Sequence, residues 1–355
     1  MKKITTLLAI AFLFTACSSD KPTKTAETEK PLTPLAKPAF DWAAESVAFT
    51  GFNGNSNVQK FIDFETQKGL YSRTELQGFF DGAVYKGNIV DIMNRPGTSR
   101  PWYEFRKGNS GAAKVNAGRT FYAQNQTIID RVAREYGVPA EIIVAIVGIE
   151  TNYGNNTGSF RLADALSTLA FDYPRRADFF QKELNEFLLM AKEEKEDIFS
   201  FKGSYAGAMG MPQFMPSSYR KWAVDYDKDG HRDIWNNVGD VAASVANYMK
   251  QHGWQTGGKM IVPVSLNISP QLQAVIDDKT ELSRTVADFK RMGVTPLTSV
   301  ADSEKAVLYH LEVSPGVYEY YLGLNNFYAV WNYNHSRMYV TAVRDIANGI
   351  DNRGL

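Results

Sequence analysis

Cysteine and histidine are scarce in this chain: one cysteine and four histidines in 355 residues. His231, His252, His310 and His335 are scattered, so no Cys/His cluster suggests zinc and no internal disulfide can form. Net charge is missing too. Lys plus Arg and Asp plus Glu number 39 each, giving a formal charge of zero. Nucleic acid as a main partner would want a basic surface, so that class is excluded. No repeat period runs through the chain, which excludes solenoids and propellers. What remains is ordinary for a soluble globule: 44% hydrophobic residues, in a length that suits one large domain or two to three small ones.

The chain is organised around Ile142-Ile143-Val144-Ala145-Ile146-Val147-Gly148-Ile149-Glu150-Thr151-Asn152-Tyr153-Gly154. This segment is apolar all round a helix, not along one stripe, so the helix should be buried. Pro139 suits a first turn, Glu141 sits where the positive helix end favours an acid, and Asn152 and Gly154 read as the stop. One carboxylic acid, Glu150, stands at the carboxyl end of this rod. Desolvation and the negative end of the helix dipole both push its pKa up. A general acid working near neutral pH needs a value of about 6, which costs the ionised form roughly 2–3 kcal/mol. The alternative is a glutamate that has merely reached the surface where its helix ends.

The amino terminus reads as a secretory signal: Lys2 and Lys3, an apolar run from Leu7 to Ala16, then Cys17. The run is too short to span a bilayer as a permanent helix. Leu13-Phe14-Thr15-Ala16-Cys17 resembles a bacterial lipoprotein box, in which the chain is cut before the cysteine and acylated on it. Phe14 departs from that box, where leucine is usual. The plainer alternative is an ordinary signal peptide. Acyl chains contribute about 0.8 kcal/mol per buried CH₂, so several would anchor the protein to lipid firmly. Ser18 after the cysteine points to the outer membrane by the usual bacterial sorting rule, with the protein facing the periplasm. Residues 1–16 are thus the expected signal and 17–40 a Pro-, Thr-, Lys- and Glu-rich tether that cannot form a core.

Residues 41–124 read as a helical flanking domain, with a capping box from Ser72 to Glu75. Trp102, Tyr103 and Phe105 lie in a stretch broken by glycine and proline, as core plugs or as a sugar platform. Residues 125–257 read as a catalytic core: a helix from Gln124 to Tyr136, the Glu150 helix, a helix from Arg161 to Ala170, a turn carrying Arg175 and Arg176, and a helix from Phe179 to Lys195. Gly203 to Tyr219 then packs small residues around polar tips, as a close-packed loop or as a cleft wall. Residues 258–323 change class. Strands are expected at Met260–Leu266, Ala306–Leu311 and Tyr318–Leu322, with short helices between them. Residues 324–355 close the chain with an aromatic-rich segment and a final helix.

Asp225-Tyr226-Asp227-Lys228-Asp229-Gly230-His231 places acids at positions 1, 3 and 5 and glycine at 6, as in an EF-hand calcium loop. His231 would lend its backbone carbonyl at position 7. Position 12 is Asn236, not glutamate. A longer loop closed by Asp240 would still converge four carboxylates, which would repel without a cation. A solvated acidic turn is the alternative.

Several of these pieces together resemble the membrane-bound lytic murein transglycosylase B family of bacterial lipoproteins. They are Gly148 to Gly154, Tyr173-Pro174-Arg175-Arg176-Ala177, Gly203 to Tyr219, the calcium-like loop, Ser244-Val245-Ala246-Asn247-Tyr248, and Asn326-Phe327-Tyr328 through Ser336. They run in the family's order over most of residues 40–350. The resemblance implies a mainly α (α+β) fold: a lysozyme-like α core, a flanking helical domain and a small β subdomain. It implies cleavage of the β-1,4 bond from N-acetylmuramic acid to N-acetylglucosamine in peptidoglycan, without water, leaving a 1,6-anhydro ring. Glu150 would be the single acid/base and Ser204 would orient it. Gln213, Phe214, Tyr248, Asn334 and Tyr339 would line sugar subsites. Arg175 and Arg176 would meet peptide or lactyl carboxylates. Calcium, in a structural role, is the one cofactor implied; no organic cofactor is.

Two other functions stay open at this level. A water-using hydrolase would need a second carboxyl, for example Asp164 or Asp172, near Glu150. A non-catalytic peptidoglycan-binding lipoprotein would use the same cleft for grip.

Overall fold

The structure, a computed structural model, describes Phe49, residues 51–95 and residues 100–351. Cys17, the signal and the tether lie outside the described residues. Helices α1 (Ser56–Gln67), α2 (Arg73–Gly82), α3 (Gly87–Asn94) and α4 (Trp102–Asn109) come first. Ser72 and Glu75 form the expected capping box on α2. Trp102 and Phe105 are buried at 3% and 7% exposure, so both serve as core plugs.

Helix α5 (Ala112–Tyr136) begins twelve residues before the expected Gln124. Its two halves meet at a kink at Asn125, where φ is −123°. The Asn125 side-chain amide donates to the Phe121 carbonyl (2.8 Å), satisfying a group the kink exposes. Gly108 and Gly111, after Pro96, Gly97 and Pro101, make the stretch before Gln124 read as broken chain.

Helix α6 (Ala140–Thr151) is the buried rod. Ile142, Ile143, Val144, Ile146 and Val147 are at most 1% exposed, a burial contributing roughly 10 kcal/mol before chain entropy is counted. Strand β1 (Phe160–Arg161), α7 (Leu162–Asp172), α8 (Ala177–Glu194), β2 (Lys202–Gly203), α9 (Pro216–Trp222) and α10 (Val238–Gln251) follow. Helices α5 and α10 pack against α6, and so does the chain's last helix.

Next come β3 (Ile261–Ser265), α11 (Pro270–Asp277), β4 (Arg284–Thr285), α12 (Val286–Arg291), β5 (Thr295–Pro296), β6 (Lys305–Ser314) and β7 (Val317–Gly323). The strands form one antiparallel sheet in the order β4-β6-β7-β3-β5. It has a core of its own, with Val262, Leu272, Phe289, Leu308 and Leu322 inside. The two-residue strands β4 and β5 carry no alternation to read, and the sequence did not announce them. Helices α13 (Asn325–Asn334) and α14 (Arg337–Ile350) bring the chain back to α6. The fold is mainly helical, as expected, with this small five-stranded sheet and a two-stranded antiparallel ribbon of β1 and β2 among the described residues. Among the described residues no helix is long and apolar enough to cross a membrane.

Candidate active site

The end of α6 is shaped by three consecutive left-handed residues: Asn152 (φ 52°), Tyr153 (φ 61°) and Gly154 (φ 83°). Left-handed backbone is costly for a residue as bulky as tyrosine, and its surroundings hold it. Its hydroxyl donates to the Lys114 carbonyl (2.7 Å). Its ring lies where a Cβ on Gly148 would stand 2.5 Å away and where a Cβ on Gly118 would stand 2.6 Å away. Two glycines on facing helices therefore make the slot for one tyrosine.

Lys114 donates from Nζ to the Gly148 carbonyl (3.0 Å) and to Asn152 Oδ1 (3.0 Å). A cation thus offsets the negative end of α6. The sequence reading counted both desolvation and the helix dipole against the Glu150 carboxylate; Lys114 weakens the second. Desolvation by the packed wall pushes the Glu150 pKa up to about 7, and a hydrogen bond from Tyr339 pulls the other way. Tyr339 donates from its hydroxyl to Glu150 Oε1 (2.7 Å), which leaves Oε2 as the oxygen not engaged by that bond.

Tyr339 is the expected site residue that touches Glu150. Ser204 does not: its oxygen accepts from the Ala208 amide (3.0 Å), so the expected orienting bond is replaced by the one from α14. Asp164 and Asp172, the candidates for a second acid, serve the flanking helices. Asp164 accepts from the Val84 amide (2.8 Å) and pairs with Arg161 (2.6 Å). Asp172 accepts from the Tyr85 hydroxyl (2.5 Å).

An aromatic wall faces the carboxyl. The rings of Tyr333 and Tyr339 lie 6.3 Å apart and nearly parallel, and Tyr333 meets Tyr248 edge-on at 4.8 Å. Phe214 is 2% exposed and backs Tyr248 and Tyr333 at 5.8 and 6.0 Å. It supports the wall and offers a sugar almost no face, which corrects its expected subsite role. Tyr333 is the residue sequence reasoning missed. Its hydroxyl donates to the Pro212 carbonyl, and burial, then the Glu150 charge, hold its pKa well above ten. The left-handed turn at His335 (φ 34°) re-aims the chain between α13 and α14, so helical spacing could not place Tyr333 beside Tyr339.

The Gly203–Tyr219 segment forms the adjoining wall. Thr151 on α6 reaches the Met211 carbonyl (3.1 Å). Gln213, itself left-handed (φ 53°), donates from Nε2 to the carbonyls of Thr157 (3.2 Å) and Gly210 (2.9 Å). Its Oε1 is the end left for a ligand. Close backbone approach explains the glycines: a Cβ on Gly203 would lie 2.2 Å from the Ala208 carbonyl oxygen. Asn334 is partly exposed at the end of α13. Arg175 is exposed and makes no ion pair among the described residues, whereas Arg176 lies 4.1 Å over the Phe179 ring. Neither arginine touches the Glu150 cluster.

The carboxylates of Asp225, Asp227 and Asp229 offer oxygens within 4.8 Å of one another, around a turn made possible by Gly230 at φ 99°. These residues fit a hard cation. Asp240 does not join them. It is fully buried, and its two oxygens accept from the amides of Tyr226 (2.8 Å) and Asp233 (2.8 Å). The expected fourth carboxylate instead clamps both ends of the loop to α10. Burial, with Asp227 and Asp225 nearby, pushes its pKa up to about 6. The His231 amide donates to Asp229 Oδ1 (2.8 Å), within the same loop.

Comparison with known proteins places this geometry. Residues 53–348 match the transglycosylase SLT domain model. The chain is 38% identical to membrane-bound lytic murein transglycosylase B of Escherichia coli K12, over 98% of each chain. It is similar to E. coli lytic transglycosylase Slt35 in complex with calcium, at 37% identity and TM-score 0.76, covering 85% of this chain and 95% of that one. It is also similar to SltB3 of Pseudomonas aeruginosa in complex with NAG-anhNAM-pentapeptide, at 30% identity and TM-score 0.73, covering 86% and 81%.

Proposed function

The chain belongs to the transglycosylase SLT family, and from that premise we propose that it cleaves peptidoglycan strands with Glu150 as its single acid/base. The bond cut is the β-1,4 link from N-acetylmuramic acid to N-acetylglucosamine, and the product carries a 1,6-anhydro end. The observation that carries this reading is one carboxyl at the end of a buried helix, with a pKa of about 7. A group half-protonated near neutral pH is suited to both directions of transfer. Oε2 first gives its proton to the leaving oxygen. The carboxylate formed, held by Tyr339 at Oε1, then takes the proton of the sugar's own 6-hydroxyl as that oxygen closes on C1.

Gln213 Oε1, the Asn334 amide and the edges of Tyr248 and Tyr333 line the sugar path, and Arg175 meets a carboxylate of the substrate. Asp225, Asp227 and Asp229, with the His231 carbonyl, hold Ca²⁺, which supplies loop rigidity and no chemistry. Acyl chains on Cys17 anchor the protein at the outer membrane, facing the periplasm.

The test is mass spectrometry of muropeptides released from purified sacculi by the mature protein and by Glu150→Gln. Products one water lighter than the hydrolysed forms, about 18 Da, and absent with the variant, are expected. Reducing-end products from the wild type would mean hydrolysis. Binding without any product would mean a binding module.

A further inference from the structure

A cavity of about 380 Å³ opens where α4, the β6–β7 hairpin and α14 meet, lined in part by Trp102, Arg106, Glu319, Tyr321, Arg344 and Asp345. Tyr339 on α14 faces Glu150. Arg344 and Asp345 follow five and six residues later, about 140° and 240° further round the helix. The cavity therefore lies on another side of α14 from the acid.

Its charged groups are balanced and only half used. Arg344 donates from Nε and Nη2 to one oxygen, Asp345 Oδ1 (3.1 and 2.7 Å), so Arg344 Nη1 and Asp345 Oδ2 remain available. Glu319 accepts from the Tyr321 hydroxyl through Oε2, leaving Oε1. Arg106 makes no ion pair among the described residues and lies 5.9 Å over the Trp102 ring. The Trp102 and Tyr321 side chains, 3% and 6% exposed, close the floor with low-dielectric material that strengthens charge contacts. An anion would meet two carboxylates here and a cation two guanidiniums. Arg344 and Asp345 already neutralise each other, so a neutral sugar would leave Arg106 and Glu319 without a counterpart. A ligand that carries both an ammonium and a carboxylate matches the set.

We propose that this cavity binds a peptide segment bearing both an amine and a carboxylate, the stem peptide of the peptidoglycan strand, and so holds substrate away from the cut bond. The assignment of that peptide rests on the function proposed above.

The test is calorimetric titration of full-length Glu150→Gln protein with an N-acetylated pentapeptide that keeps a free side-chain amine and a free carboxyl end, as a strand-borne stem peptide does, with the same peptide blocked by acetylation of that amine and amidation of the carboxyl end, and with chitotriose. Arg106→Ala/Glu319→Gln, two exposed positions, is the cavity variant. Its thermal unfolding serves as the fold control. The free peptide is expected to bind at least tenfold more weakly to the cavity variant, and the blocked peptide at least tenfold more weakly than the free one. Chitotriose affinity should be unchanged by the two substitutions. Equal peptide affinity for both proteins, or equal affinity of free and blocked peptide, overturns the proposal. Loss of chitotriose binding in the cavity variant makes the cavity a glycan site and overturns it as well. Because Glu150→Gln separates binding from chemistry, hydrolytic products from the wild type would sink the transglycosylase reading while leaving this result standing.

Discussion

Glu150 should make the protein less stable at the pH where it works. Its folded pKa of about 7 lies above the ordinary 4.5 because burial penalises the carboxylate. The folded state therefore holds a proton between pH 4.5 and 7 that the unfolded chain has released, and stability falls as pH rises through that window. At 1.36 kcal/mol per pH unit, the full loss is about 3 kcal/mol, present above pH 7 and absent below pH 4.5. Glu150→Gln removes the charge while keeping an oxygen to accept the Tyr339 hydrogen bond. The variant should then be more stable than the wild type at pH 8, with a Tm higher by several degrees at about 2 °C per kcal/mol. At pH 4 the two should melt together. Differential scanning calorimetry of the pair across pH 4–8 isolates this one group, since every other titration is common to both. A Tm gain of equal size at both ends, or no gain at pH 8, would refute the claim that desolvation sets the acid's pKa.

Tyr339→Phe removes the donor that favours the Glu150 carboxylate, so the alkaline limb of the kcat/KM profile should move up by about one pH unit; an unmoved limb would deny Tyr339 that role. Gly148→Ala drives a Cβ into the Tyr153 ring at 2.5 Å. It should cost about 1–3 kcal/mol in urea unfolding and lower kcat, because it displaces the turn that follows the acid. Calcium removal should lower Tm and leave the pH profile of the remaining folded enzyme in place; turnover abolished at unchanged Tm would contradict a structural role. Asp240→Asn keeps one acceptor for the two amides that Asp240 binds and should weaken calcium binding by loosening the loop, without removing a ligand.

The rod was legible because a segment apolar on every side has no stable place except the inside of a helical core. The stop was legible because Asn152 and Gly154 tolerate left-handed backbone. The left-handed Tyr153 between them was not, since its tolerance comes from Gly118, thirty-odd residues earlier in the chain. The same limit hid the first half of α5. Propensity reads Gly108 and Gly111 as breaks and offers no helix signal for Gly118, which is there to admit the Tyr153 side chain from another element.

Site chemistry divides along the same line. Glu150 could be singled out from its own helix, because desolvation by that helix is a local property. Its partner could not be chosen locally: Ser204 and Tyr339 both arrive by tertiary contact, and a spacing argument carries no information about which hydroxyl turns toward the acid. The loop acids make the point from the other side. Asp225, Asp227 and Asp229 converge because a seven-residue turn forces them to. Asp240 is set apart only by where α10 begins. Buried at that helix's first turn, it accepts from the backbone amides of Tyr226 and Asp233. A buried acceptor beside two orphan N–H groups closes on them first. That order of demands, backbone before ligand, separates a carboxylate that builds a site from one that binds in it.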